Sequence, residues 1–426
     1  MNKHKFKYLF IIILFLFNIT PLNAKTDYTY ITSGYQDYLE DQAKDFPSVK
    51  SHNILLYNLD EDKVLYAKNS TDKISIASLT KIMTALVAIE NIPDLNSQVT
   101  VTKKAFEDTK EYSLAGFKVG DKVTYLDLLY GTILPSGAEA ATQLALSVSK
   151  TIPDFALLMN EKAKSLGMTN TSYSNPIGRD DPNNYSTLED LSKLLKYALT
   201  NEAFSKIYTS KSYTTTNNLT FDSTLKTAAT RYKLNVTNIL GSKSGYTDAA
   251  GLCLSSIATY NGVNYLLLTA NAPYSYGNPL HVKDAINIYN YYFTNYQNTT
   301  VLKKDTLVQT LKIKDAFTKE YSITSPEDII LYLKNDLDQT KLKYTYNGID
   351  TLTSKVKTNS KLGTITISYE NNVLYTYPVY LTTTIKYKHT KLFLTLLALI
   401  LIFVLILKKK LSTKKGRKKH GHRSKK

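Results

Sequence analysis

Apolar residues recur at helical spacing between Ile76 and Glu90, where Ile82, Ala85, Leu86 and Ile89 fall three or four positions apart. This spacing predicts a buried amphipathic helix with Ser78 in its first turn. Just upstream, Asn53–Asn58 reads as a strand, Asp60–Lys63 as a turn and Val64–Ala67 as the returning strand. A hairpin therefore leads straight into the helix. Helical periodicity dominates from Asp94 to Ile152, interrupted where Pro135 and Gly137 leave Ser136 on a short loop ahead of Ala138. Asn175–Gly178 and Asp181–Asn184 mark a long loop. Thr187-Leu-Glu-Asp is a capping signal for a helix carrying Leu188, Leu191, Leu194, Leu195 and Ala198. Lys243-Ser244-Gly245 begins the first of several antiparallel strands, and Leu252–Ala258 and Tyr265–Ala270 are apolar strand runs behind it. A helix over Leu280–Phe293 closes this part. After a polar linker at Asn295–Thr300 the pattern becomes short and alternating, as at Leu307–Ile313, Leu342–Tyr346, Thr364–Tyr369 and Val373–Tyr377. It predicts a small β-sandwich whose one short helix is Ser325–Leu333.

The two ends read differently. Met1–Lys7 is basic, Tyr8–Phe17 is apolar but too short to cross a bilayer, and a small residue stands at Ala24. Residues 1–24 are a secretory leader by this pattern. Near the other end Leu392–Leu407 is apolar except for Thr395 and has no polar face. At about 1.5 Å per residue it covers roughly 24 Å, so flanking Lys391 and Lys408 must snorkel to complete a span. The expected organisation is then leader 1–24, lead-in 25–44, a main domain 45–294, a β-rich domain 301–386, a transmembrane helix 391–408 and a basic tail 409–426. The net charge of +17 belongs mostly to the ends. Lys3, Lys5 and Lys7 and the eleven Lys and Arg from Lys408 onward hold fourteen charges, and without them +17 falls to +3. No basic stripe remains in the middle, which argues against nucleic acid as a partner. The basic tail after an apolar span predicts that the tail is cytoplasmic and the bulk of the chain lies outside the cell. Cys253 is the sole cysteine, so no internal disulfide forms. No metal-ligand spacing, phosphate loop or repeat is present.

Candidate chemistry starts at Ser78 and Lys81. Three apart on a helix, both side chains emerge on one face. A serine hydroxyl needs a base beside it, and a lysine is one when burial or a second cation lowers its pKa. The spacing alone says little, because Ser-x-x-Lys also begins at Ser70, Ser147, Ser223, Ser354 and Ser412. A serine there is as readily a plain helix cap. The order of three segments carries more: Ser78-x-x-Lys81, Ser136-Gly137-Ala138, then Lys243-Ser244-Gly245.

That order, with the longer strings Ile76–Ala85, Lys243–Thr247 followed by Ala250-Gly251, and Tyr185-Ser186-Thr187, resembles the low-molecular-weight penicillin-binding proteins, the serine-type D-alanyl-D-alanine carboxypeptidases. The resemblance covers about residues 45–390. It implies an α/β (α+β) penicillin-binding/β-lactamase-like transpeptidase fold, with an antiparallel sheet, flanking helices and a helical lobe, plus the small C-terminal β-domain. It implies that Ser78 attacks the penultimate D-alanine of a peptidoglycan stem peptide ending in D-Ala-D-Ala. Lys81 would take the proton, kept neutral by the Lys243 cation and partial burial. Ser136 would bridge Lys81 and the leaving amine. Lys243 and Ser244 would hold the terminal carboxylate, Gly245 would admit the ligand close to the backbone, and the N–H groups of Ser78 and Tyr246 would form the oxyanion hole. β-Lactams would acylate the same serine, and no cofactor or metal is called for. Ala138 stands where the family usually has asparagine, so a side-chain amide expected to face the substrate is missing. A non-catalytic wall-binding scaffold, a secreted serine β-lactamase and a DD-endopeptidase remain alternative readings.

Overall fold

A computed structural model describes residues 46–353, 355–370, 372–388 and 390–420; the expected leader and lead-in lie outside these residues. β1 (Asn53–Asn58) and β2 (Lys63–Lys68) form the hairpin read from the sequence. β3 (Ile239–Thr247), β4 (Gly251–Tyr260) and β5 (Val263–Ala272) complete a five-stranded sheet in the order β2-β1-β5-β4-β3, every neighbouring pair antiparallel. β3 is thus an edge strand, with one side of its backbone free for a ligand. Lys243 lies in the middle of β3 and not at its start.

Seven helices belong to the same unit: α1 (Thr80–Asn91), α2 (Tyr125–Ile133), α3 (Ala138–Val148), α4 (Ile152–Ser165), α5 (Leu188–Leu199), α6 (Glu202–Thr209) and α7 (Thr224–Tyr232); of these α5, α6 and α7 pack on the central sheet. α1 touches each of α2 to α6. It is buried on every side from Thr80 to Ala88, so the amphipathic stripe expected there is in fact a helix enclosed all round. α8 (Leu280–Asn295) packs on β4 and β5. With helices on both faces, the central strands carry unbroken buried runs such as Leu252–Ala258 in place of alternation. The caps follow the chemistry of helix starts. Thr187 accepts from the Asp190 N–H, and Thr124 and Asp127 cap each other reciprocally. Within the stretch expected to be mostly helical, Gln98–Thr100 and Lys122–Thr124 pair as a small hairpin.

Two expectations fail beyond α8. The expected polar linker at Asn295–Thr300 is the end of α8 followed directly by β6 (Tyr296–Leu302). β7 (Leu307–Ile313) and β8 (Glu320–Thr324) follow, and the expected helix at Ser325–Leu333 is instead strand β9 (Ile329–Lys334), paired with β6. Tertiary contacts decide this. Tyr332 is fully buried, stacks on Tyr296 at 5.6 Å between centroids and shares a 2.8 Å hydroxyl contact with Tyr265 on the central sheet. β9 belongs with the main unit, which holds the chain to Val301 and Ile329–Gln339; Leu302–Asp328 and the chain from Thr340 onward form the second.

The second unit is β-rich. One sheet has the order β8-β7-β11, with β11 at Thr351–Leu352; another joins β10 (Leu342–Gly348), β12 (Lys361–Tyr369) and β13 (Asn372–Tyr380) in the order β10-β12-β13. Leu311, Ile323, Leu352, Ile365, Ile367 and Leu374 are among its residues of nearly zero exposure. α9 (Thr390–His420) follows, and its segment Leu392–Lys410 is long and apolar enough to cross a membrane, with a mean hydropathy of 2.6 and none of it buried.

Candidate active site

A short 3-10 turn, Ala77–Leu79, delivers the chain from the hairpin into α1. Ala77 has φ 44°, a left-handed conformation that a residue with a Cβ rarely adopts. Such outliers persist where the surroundings force them. Ser78 is half-buried in this turn. Lys81 follows one turn later with no exposed surface, and its Nζ lies 2.8 Å from Ser78 Oγ. The same nitrogen donates to the Ile177 carbonyl at 2.8 Å. Burial lowers the Lys81 pKa from the usual 10.5 to about 7, against an upward pull from the Glu139 carboxylate. Of the two causes expected, burial leads, and the Lys243 cation is not among those that lower it.

Ser136 sits on the loop between α2 and α3 at φ 67°, a second strained non-glycine. The loop is compressed: Gly137 N–H donates to Gly131 O, and a Cβ at Gly137 would lie 2.6 Å from Ala115 Cβ. Ser136 Oγ accepts from Lys243 Nζ at 2.8 Å, and Lys243 also donates to the Ser244 carbonyl at 2.7 Å. The hydroxyl's partner is therefore Lys243, where Lys81 had been expected. Lys243 has no exposed surface, and its pKa falls well below the usual value, first through burial and then through the positive charge of Lys81. Ser244 Oγ donates to Thr224 Oγ1 at the start of α7. Gly245 abuts the Ser78 turn so closely that a Cβ there would lie 2.9 Å from the Ser78 backbone nitrogen. Tyr246 turns its ring outward, half exposed, with its hydroxyl on Asp248 and its ring beside Tyr274.

The three distant segments thus meet at one place. Two groups there were not read from the sequence. Glu139 is a fully buried acid whose Oε1 accepts from the N–H groups of Ala115, Gly116 and Phe117. Its pKa is raised by burial despite these bonds. Its only sequence signal is an acid in an alanine-rich helix start. The second is the turn Asn175–Arg179, whose Asn-Pro-x-Gly composition marks a loop and nothing more. A hollow of about 670 Å³ bounded by Tyr112 and Arg179 adjoins this turn; Ser78 does not line it. Cys253 is buried, its thiol pushed up to about 12, and takes no part in the site. Among the described residues no three metal-ligating side chains gather.

The family model for D-alanyl-D-alanine carboxypeptidase matches residues 40–273, more than half of the chain. The chain belongs to the D-alanyl-D-alanine carboxypeptidase family. It is a serine hydrolase of that family. A second model, the C-terminal domain of penicillin-binding protein 5, matches residues 296–387. Among carboxypeptidase relatives, D-alanyl-D-alanine carboxypeptidase DacF of Bacillus subtilis is 26% identical over 342 residues, 78% of this chain and 84% of its own length. The D-alanyl-D-alanine carboxypeptidase of Streptomyces sp. K15 is 34% identical, over 54% of this chain and 82% of its own. The D-alanyl-D-alanine endopeptidase of Pseudomonas aeruginosa is 31% identical over 53% of this chain and 73% of its own. Penicillin-binding protein 5 from Haemophilus influenzae superposes with a TM-score of 0.61 at 21% identity, covering 79% of this chain and 98% of that one, which establishes the shared fold.

Proposed function

We propose that Ser78 is the nucleophile of this carboxypeptidase and Lys81 its general base. The observation that carries the reading is the 2.8 Å contact between Ser78 Oγ and a wholly buried amine whose pKa lies at about 7. At neutral pH such an amine spends about half its time uncharged, with a lone pair to take the serine proton. The substrate is a stem peptide ending in D-Ala-D-Ala. Its backbone runs beside edge strand β3, and the new oxyanion meets the N–H groups of Ser78 and Tyr246. One such donor is worth about 3 kcal/mol in the transition state. Lys243 and Ser244 receive the terminal carboxylate. An incoming negative charge favours the charged form of Lys243, so substrate binding itself restores the cation that burial suppresses. Ser136 lies within the same constellation; it hands its hydroxyl proton to the departing D-alanine amine and takes one back from the Lys243 cation to which it is bonded. Water then releases the acyl group. A β-lactam carries the same carboxylate and an activated carbonyl, and stops at the acyl-enzyme.

The match to the penicillin-binding protein 5 C-terminal domain, together with a carboxypeptidase relative that matches 78% of this chain, supports the carboxypeptidase reading. Leu392–Lys410 anchors the enzyme in the membrane, with the tail in the cytoplasm and both folded units outside. A fluorescent penicillin should label the wild type and not Ser78→Ala, and only the wild type should release D-alanine from a pentapeptide. A folded wild-type protein that takes up no label contradicts the assignment.

A further inference from the structure

The hydrogen-bond partners of Lys81 Nζ are Ser78 Oγ and one backbone carbonyl, that of Ile177. A neutral amine has two N–H groups and one lone pair. If one N–H is held by a fixed acceptor, the lone pair is aimed; if not, the amine rotates freely about its last bond. What fixes the Ile177 carbonyl therefore fixes the base. Position 138, the third of its motif, is alanine, and it packs with Ala141 against Ile177, so it offers no amide that could take this part.

The turn that carries this carbonyl is held from two sides. Asn175, 4% exposed, accepts three N–H groups on its Oδ1, those of Ile177, Gly178 and Arg179, and donates from Nδ2 to the Arg179 carbonyl. One side chain thereby closes the whole turn. From below, Thr84 Oγ1 donates to the Pro176 carbonyl at 2.7 Å. Lys81 and Thr84 are three apart on α1, so one helix face reads two successive carbonyls of the turn. Gly178, at φ 84°, lets the turn press on the Ser78 segment; a Cβ there would fall 1.8 Å from the Ala77 carbonyl oxygen.

We propose that Asn175 is a positioning residue for Lys81, acting through the Ile177 carbonyl, with Thr84 as its second support. The proposal rests on the reading of Lys81 as the base. A carbonyl accepts more strongly from an ammonium than from an amine, so it stabilises the protonated base as well as aiming the neutral one. Of the charged groups nearby, Glu139 on α3 pulls the Lys81 pKa up, and Lys243 on β3 is itself lowered by the Lys81 charge; Arg179 pairs with Asp108. Loosening the turn therefore slows acylation and moves the acid limb of its pH profile to lower pH.

The test is the rate of acylation by a fluorescent penicillin against pH, in the full chain, for Asn175→Ala, Asn175→Asp and Thr84→Val. Asn175→Ala should slow between about 10- and 100-fold, the scale on which small misplacements act, with its acid limb shifted down. Asn175→Asp keeps the acceptor and should label faster than Asn175→Ala above the acid limb, with that limb moved to higher pH by the added carboxylate. Thr84→Val, nearly isosteric, should shift the limb in the same direction by less, and stands in if Asn175→Ala does not fold. A turn that merely supports the fold would lower the labelled fraction and leave the limb in place. If the wild type is labelled and both Asn175→Ala and Thr84→Val match it in rate and limb, the positioning role is wrong. If the wild type itself is not labelled, it is the reading of Ser78 and Lys81 that fails.

Discussion

A buried amine with a pKa of about 7 has consequences for both chemistry and stability. As a base, Lys81 works only when uncharged, so acylation should rise with pH through about 7. For stability the sign runs the same way. The unfolded lysine keeps its proton to about 10.5 while the folded one loses it near 7, so between these values the unfolded state binds more protons and stability grows with pH. Below pH 7 the full cost of burying the charge is present. Comparing thermal melts of Lys81→Met and wild type across this window, the difference should move steadily in favour of wild type as pH rises. A difference that stays flat with pH contradicts the depressed pKa. Neither the completeness of the burial nor Glu139 was legible beforehand, because Ser-x-x-Lys recurs in this same chain, as at Ser70–Lys73 and Ser223–Lys226, and what makes one copy special is what packs over it.

Two backbone elements press on the Ser78 turn, and both rely on glycine. Gly245 on β3 and Gly178 in the Asn175 turn each stand where a side chain would collide with backbone. Gly178 also has φ 84°, which a residue with a Cβ adopts only at a cost of roughly 1–3 kcal/mol before any clash. Gly178→Ala should therefore lose at least about 2 kcal/mol of stability, read from denaturant unfolding, together with most penicillin labelling. A variant that melts and labels like wild type would show that the turn is not pressed against Ala77. At this scale much was legible. Pro135 and Gly137 placed Ser136 on its loop, and Thr187 marked its helix start. β9 was not, because Ile329–Leu333 carries no period that separates a short buried strand from a helix, and its pairing with β6 is made with residues some thirty positions away.

At the scale of the molecule, the proposed catalysis and the proposed membrane attachment should be separable. The groups proposed for the chemistry all lie within the unit that holds the central sheet, and no residue of the apolar segment Leu392–Lys410 is buried. A chain ending at residue 388 should leave the membrane fraction and still be labelled by penicillin at wild-type rate. Continued sedimentation with membranes would place the attachment elsewhere.

The order Ser78-x-x-Lys81, Ser136, Lys243-Ser244-Gly245 determined the family, the serine and the lysine that face each other, and the strand that borders them, because spacing along one helix turn and the need for glycine at a close approach are local matters. Local rules also located the apolar C-terminal segment. Only the folded chain decided that both lysines lose all contact with water, that Lys243 and not Lys81 bonds Ser136, and that a backbone carbonyl from a turn 96 residues away accepts from Lys81. Desolvation and long-range hydrogen bonds depend on which groups surround an atom, and that is settled by packing among segments that no local pattern connects.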